Sequence, residues 1–273
     1  MSAHDLLAGR RVLVTGVLNR QSIAWHVAAA AQEQGAEVLL SSFGRLLRHT
    51  RKAAALLPVP PAVVELDVTD PAAVERLADE VMERLGGLDG LVHAMAFGTP
   101  EAVGGSFVAC PPTDAAEAFT VSAHSLALLA GALRGPLAAG GGSVVGLTFE
   151  SRFAFPRYNW MGVAKAALEA TSRYTALELG PDRIRVNLVS AGPIRTFAAR
   201  GVPGFDDLAR LWEAGAPLGW DARDAVPVAD ACAFLLSDLA RAVTGEILHV
   251  DGGMHAVAAT TPPPPPAPSH PPT

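Results

Sequence analysis

Two side chains in this sequence are suited to act together on one extended ligand: Tyr158 and Lys165, in the run Tyr158-Asn159-Trp160-Met161-Gly162-Val163-Ala164-Lys165. The chain has two tyrosines and two lysines, and one of each falls here, seven positions apart. On a helix each residue advances by roughly 100°, so the second returns to nearly the face of the first, about 10 Å further along. A phenol there can donate a hydrogen bond to a developing oxyanion. An ammonium can hold ligand hydroxyls and lower the phenol pKa through its charge. Taken alone, the pair also reads as a surface tyrosine with an unrelated solvated lysine. The elements that would carry it decide between the two.

Those elements alternate. Arg11 to Thr15 is a short apolar run ending at Gly16, and Ser22 to Ala31 reads as a helix that Ser22 caps and Gly35 ends. Strand, glycine turn and helix N-terminus make an anion site in which free amides and the positive helix end face a phosphate. The turn is not G-x-G-x-x-G but Gly16, five residues, then Ser22-Ile23-Ala24. Glu37 to Ser42 is a second strand, with Phe43 at its end and Arg45 two residues on. An adenosine ribose meets the chain at this point in dinucleotide folds. Phe43 suits stacking on adenine and favours NADH, whereas Arg45 is a possible partner for the extra phosphate of NADP.

A helix from about 45 to 56 leads through Pro58-Val59-Pro60-Pro61 to a third strand, Ala62 to Leu66, followed by Asp67-Val68, where Asp67 could accept from the adenine amino group. Thr69-Asp70-Pro71 starts a helix that runs to about Leu85 and stops at Gly86-Gly87. The fourth strand exits through His93-Ala94-Met95-Ala96, small enough at Ala94 and Ala96 for a cofactor to approach the backbone. His93 reads as structural. A Gly- and Pro-rich loop over 97–112 precedes a long apolar helix, Thr113 to Leu133, broken at Gly135-Pro136. Ser143 to Thr148 is a fifth strand ending at Phe149, the Tyr158 helix runs to about Leu179, and Ile184 to Val189 is a sixth strand. The sixth strand exits through Ala191-Gly192-Pro193-Ile194-Arg195-Thr196, where Thr196 can bond a phosphate or amide. A mixed segment over 197–220 reads as a mobile cover, Val226 to Leu239 as a helix and Glu246 to Val250 as a seventh strand. The expectation is an α/β fold: a single doubly wound Rossmann domain over 1–257 with a seven-stranded parallel sheet, and a disordered Pro-rich tail over 258–273.

Composition removes other classes. A net charge of −6 leaves no basic footprint for nucleic acid. Cys110 and Cys232 form no metal or disulfide framework and read as two buried small hydrophobes. The N-terminus lacks a basic region followed by an apolar core, and no apolar run is expected to reach membrane length, so the expected compartment is the cytoplasm, with no membrane partner.

Taken together, residues from about 7 to 255 resemble the short-chain dehydrogenase/reductase superfamily. Within it they are similar to the NADH-dependent enoyl-[acyl-carrier-protein] reductases, nearest to the mycobacterial form. The matching features are Gly16-x5-Ser22-Ile23-Ala24, Asp67-Val68, Tyr158-Asn159-Trp160-Met161 with Lys165 seven after the tyrosine, and Ala191 to Thr196. Position 162 is Gly, so the Tyr-x3-Lys pair of most superfamily members is absent, and Phe149 stands where many bacterial enoyl reductases carry a second tyrosine. Ala94 replaces a usual serine, and the segment 197–220 is shorter than in the mycobacterial enzyme. The resemblance implies reduction of the trans-2 double bond of enoyl-acyl-carrier-protein or enoyl-CoA thioesters with NADH, and a homotetramer. Tyr158, Lys165 and Phe149 are then the catalytic residues. Gly16, Ser22, Ile23, Phe43, Asp67, Val68, Met95, Ala96, Lys165, Ile194 and Thr196 line the cofactor. The competing readings are a carbonyl reductase of the same superfamily and a cofactor-binding regulator that has lost the chemistry.

Overall fold

The computed structural model describes residues 5–258; the Pro-rich tail from 259 onward lies outside the described residues. The strands are β1 (Arg11–Val14), β2 (Glu37–Ser42), β3 (Val63–Glu65), β4 (Gly90–His93), β5 (Ser143–Thr148), β6 (Arg185–Ala191) and β7 (Ile247–Val250). They pair in parallel in the order β3-β2-β1-β4-β5-β6-β7. The helices are α1 (Ile23–Glu33), α2 (Leu47–Ala54), α3 (Pro71–Leu85), α4 (Pro112–Phe119), α5 (Ser125–Ala132), α6 (Arg134–Ala138), α7 (Asn159–Leu179), α8 (Phe205–Gly215) and α9 (Val226–Leu236).

The central strands are apolar on both sides because helices cover both faces. Val12, Val14 and Val38 pack under α1 and α9, whereas Leu13, Leu39, Val144 and Val186 pack under α3, α5 and α7. The strand order reverses between β1 and β4, and a ligand cleft opens at the carboxyl ends there. The expected single α/β domain with seven parallel strands is thus the observed one.

Local chemistry explains the element ends. Asp70 accepts from the amide of Ala72 at 3.0 Å, Pro71 occupies the first turn of α3, and Gly86 ends it in the left-handed region at φ 68°. Several expectations change. The helix expected over 113–133 is two helices joined by a π-helical turn, Thr120–His124. There the Ser122 hydroxyl bonds the Phe97 backbone instead of staying within the helix, with its Oγ 3.0 Å from the Phe97 amide. Gly135 and Pro136 do not end helical structure but sit in the short α6. The combined stretch Pro112–Ala132 is long and apolar enough by length and composition to cross a bilayer, contrary to expectation. Of it, 39% is buried, on the side that packs against α7 and α3. The 197–220 segment, read as a mobile cover, folds as the turn Ala198–Gly201 and helix α8. Cys232 is buried and its thiol is pushed up to about 12, but Cys110 is only half-buried on the loop before α4.

The tightest constraint on the cleft lies where β1 and β4 leave the sheet. Gly16 has φ 80°, and a Cβ there would meet the Ala94 carbonyl oxygen at 2.0 Å. That neighbour is backbone and has nowhere to move. Gly16→Ala should therefore cost about 2–4 kcal/mol of stability from clash and left-handed strain together. Denaturant unfolding of the variant checks this, and wild-type stability would contradict it.

Candidate active site

The cofactor half of the cleft is built from strand exits. The turn after β1 is organised by Ser22, whose Oγ accepts from the amides of Leu18 at 3.1 Å and Asn19 at 3.2 Å. Ser22 stands at the N-cap position of α1 in extended backbone, but its hydroxyl does not bond the first helical amides as expected. It folds the turn back on itself, and among the described residues the Ile23 and Ala24 amides are left without a hydrogen-bond partner at the positive helix end. Phe43, at the end of β2, is 44% exposed, so its ring offers a free face. Asp67 accepts from the Thr69 amide and hydroxyl through one oxygen, Oδ1, at 2.9 and 2.7 Å. Val68 is buried in the core, so its backbone alone faces the cleft side of the turn. Met95 packs against the same core, while Ala96 is exposed. On the far side Ile194 is buried, and the Thr196 hydroxyl accepts from the Ala199 amide at 3.1 Å with its own proton free to donate. Arg200 reaches Gln21 across the cleft at 3.4 Å, so the segment after β6 touches the turn after β1.

The chemical half is set by β5. Lys165, on α7, is 6% exposed, and its Nζ donates to the Leu147 carbonyl at 2.9 Å. Burial pushes its pKa down to about 8, partly opposed by the Glu169 carboxylate. Tyr158 precedes α7 and is half-buried. Its phenol is raised above the ordinary value by burial alone, so the expected lowering by the lysine charge is not found. Tyr158 is a neutral O–H donor across the working pH range. Helical spacing also does not by itself set its position, because Asn159 has φ 45° and Arg157 φ 65°, left-handed values on both sides of it.

Phe149 follows β5 and is buried with its ring 5.3 Å from that of Tyr158, close to edge-on at 69°. It also packs on Phe155 at 5.1 Å and Trp212 at 5.5 Å, and Trp212 comes from α8. Tyr158 and Val202 both pack against the small cluster of Val103, Met161 and Ala164. Phe155, Trp212, Val103 and Val202 carry no sequence signal of their own, since they meet only after three separate loops fold over one cleft. His93 is fully buried with Nε2 2.7 Å from the Ser125 hydroxyl, and desolvation drives its pKa down to about 3. It is a neutral structural group, as read from the sequence.

These features fit a dinucleotide: unpaired amides at a helix end, an open aromatic face, and a buried ammonium with one carbonyl partner and further protons to give. The chain matches the family described as Enoyl-(Acyl carrier protein) reductase over residues 16–255. It is 40% identical over 262 residues to an enoyl-[acyl-carrier-protein] reductase [NADH] of Mycolicibacterium smegmatis, covering 91% of this chain and 97% of that one. An enzyme of the same name from Mycobacterium avium is 42% identical over 261 residues, with the same coverage. The Bacillus subtilis enoyl-[acyl-carrier-protein] reductase [NADH] is 38% identical over 257 residues, covering 92% and 98%. With a family model over residues 16–255 and relatives at 38–42% identity over nearly the whole of both chains, the chain belongs to the enoyl-(acyl carrier protein) reductase family.

Proposed function

We propose that this protein reduces the trans-2 double bond of enoyl thioesters, carried on acyl carrier protein or coenzyme A, in fatty-acid synthesis. The observation that carries the reading is a neutral, raised-pKa Tyr158 with Lys165 seven residues on and no lysine between. Position 162 is Gly, and a Cβ there would meet the Tyr158 ring at 3.5 Å, so the residue one turn along brings no charge to the phenol. NADH, when bound, supplies hydride to the β-carbon. Tyr158 donates its hydrogen bond to the thioester oxygen, where negative charge develops, and a proton taken up at the α-carbon, from water or from Tyr158, completes the reduction. Lys165 holds the nicotinamide ribose hydroxyls and thereby selects the reactive face. Phe149 packs the edge of Tyr158 and keeps water from that oxygen. Gly16, Ser22 and Ile23 would hold the pyrophosphate of a bound dinucleotide, Phe43, Asp67 and Val68 its adenine, and Met95, Ala96, Ile194 and Thr196 its nicotinamide riboside.

A homotetramer is part of the same reading. Phe119 on α4 and Tyr174 and Leu177 on α7 are exposed and form an apolar outer face suited to a second copy. The cytoplasm, where acyl-carrier substrates are made, is the proposed compartment.

The deciding assay is NADH oxidation with trans-2-enoyl thioesters of several chain lengths against matched 3-ketoacyl thioesters. Turnover with the enoyl series alone supports the reading, and turnover with ketoacyl substrates moves the protein to the carbonyl reductases. Tyr158→Phe should lower kcat by about 10²-fold or more while leaving the NADH Kd unchanged, as expected for a donor used only in the transition state; equal losses in both would contradict that role. A pH titration probes Lys165. Its free-state pKa is near 8, and bound ribose oxygens favour the charged form, so affinity is full below that value and falls as pH rises through it. The NADH Kd should rise roughly tenfold between about pH 7 and 9, and a flat profile that Lys165→Ala does not alter would remove the ribose role.

A further inference from the structure

The backbone around Tyr158 is held in a form it would not choose. Non-glycine residues avoid the left-handed region, and two such residues, Arg157 and Asn159, flank the tyrosine. Helix α7 also begins with no side-chain cap. Conformations of this kind persist only where the surroundings over-determine them. Here the determinant is the segment 98–107, which lies beside the start of α7.

Three hydrogen bonds and one ring contact join the two. Asn159 Nδ2 donates to the Gly105 carbonyl at 2.7 Å. The Trp160 indole Nε1 donates to the Phe107 carbonyl at 3.0 Å, and its amide to the Ala102 carbonyl at 3.1 Å. The Trp160 and Phe107 rings stack at 5.1 Å with 19° between planes. The segment is itself rigid. Thr99 accepts from Ala102 and Val103, at Oγ1 and at its carbonyl. Gly104, at φ 99°, lies so close to Pro203 that a Cβ would meet the ring at 2.6 Å, and one at Gly105 would meet the Glu101 carbonyl at 2.5 Å. Neither Asn159 nor Trp160 touches the reacting centre through these bonds. Both instead tie the residue beside the phenol to an element outside α7.

We infer that Asn159 and Trp160 are positioning residues, which clamp the segment 98–107 and so aim the Tyr158 hydroxyl at the substrate oxygen. The inference rests on the reading of Tyr158 as the hydrogen-bond donor. Asn159→Gly keeps access to the left-handed backbone but removes the bond to Gly105. Trp160→Phe keeps the stack on Phe107 but removes the indole donor.

The test is a double-mutant cycle on the full chain, following kcat with a trans-2-enoyl-CoA, NADH Kd by fluorescence titration, and thermal unfolding. Asn159→Gly should lower kcat about tenfold, with NADH Kd unchanged. In a Tyr158→Phe background the same substitution should lower kcat no further, because the group being aimed is gone. An equal loss in both backgrounds marks a purely structural role and overturns the inference, as does an unchanged kcat in Asn159→Gly. If Asn159→Gly does not fold, Trp160→Phe is read in the same cycle with the same criteria. Wild-type turnover in Tyr158→Phe alone would remove the donor reading and this inference with it. Loss in Tyr158→Phe with additive effects at Asn159 removes only the clamp.

Discussion

Everything in the cleft depends on keeping an ammonium buried. Lys165 falls from an ordinary pKa of 10.5 to about 8, which corresponds to roughly 3 kcal/mol of unrelieved desolvation. What keeps the side chain in place is one carbonyl, and sheet register explains why that carbonyl is free. Pairing between β4 and β5 stops at His93 and Gly146, while β5 runs on to Thr148 beside β6. Leu147 thus lies past the last β4 pair, and its oxygen can accept from Nζ. One carbonyl does not satisfy three ammonium protons. The protein by itself leaves the lysine under-solvated, with ammonium protons available beyond the one given to Leu147.

The same dry environment acts on Tyr158, Lys165 and His93, and in each it favours the neutral form. Tyr158 rises, Lys165 falls and His93 falls to about 3. For chemistry this is selective. A dehydrogenase acting on alcohols needs a phenol that gives up its proton readily, which calls for a nearby positive charge to lower it. Here, among the described residues, burial alone shifts the phenol, and it works in the opposite sense. A phenol that stays protonated is suited to supplying a single hydrogen bond to an oxygen that becomes negative, which is what reduction of a conjugated thioester demands.

The alternation of strands and helices was legible because parallel strands covered on both faces are written as apolar runs ending at Gly, Pro or Asp. β2, α3 and β5 fall where the sequence places them. The tyrosine-lysine pair and the glycine turn were legible for the same reason, as short spacings within or beside single elements. Ser22 shows the limit. Its type and place signal a helix cap, but the turn before it competes for the same hydroxyl and takes it. The π-helical turn at Thr120–His124 was equally invisible, because the Ser122 bond that accompanies it goes to Phe97, a residue of the preceding loop. The aromatic wall beside Tyr158 was least legible. The resemblance names Phe149, but Phe155 and Trp212 follow no periodicity, since their proximity to it is a product of tertiary closure.

That wall and the lysine are two consequences of one strand. β5 presents the Leu147 carbonyl to Lys165 and, two residues later, turns Phe149 onto the edge of Tyr158. A shift of β5 along its neighbours would move both at once, withdrawing the ammonium's acceptor and loosening the phenol's packing. β5 pairs with β4 on one side and over its full length with β6 on the other, so such a shift would break ladders on both. The distance between Lys165 and Tyr158 is therefore set by the most deeply paired part of the sheet. The loops over the cleft need only close on it.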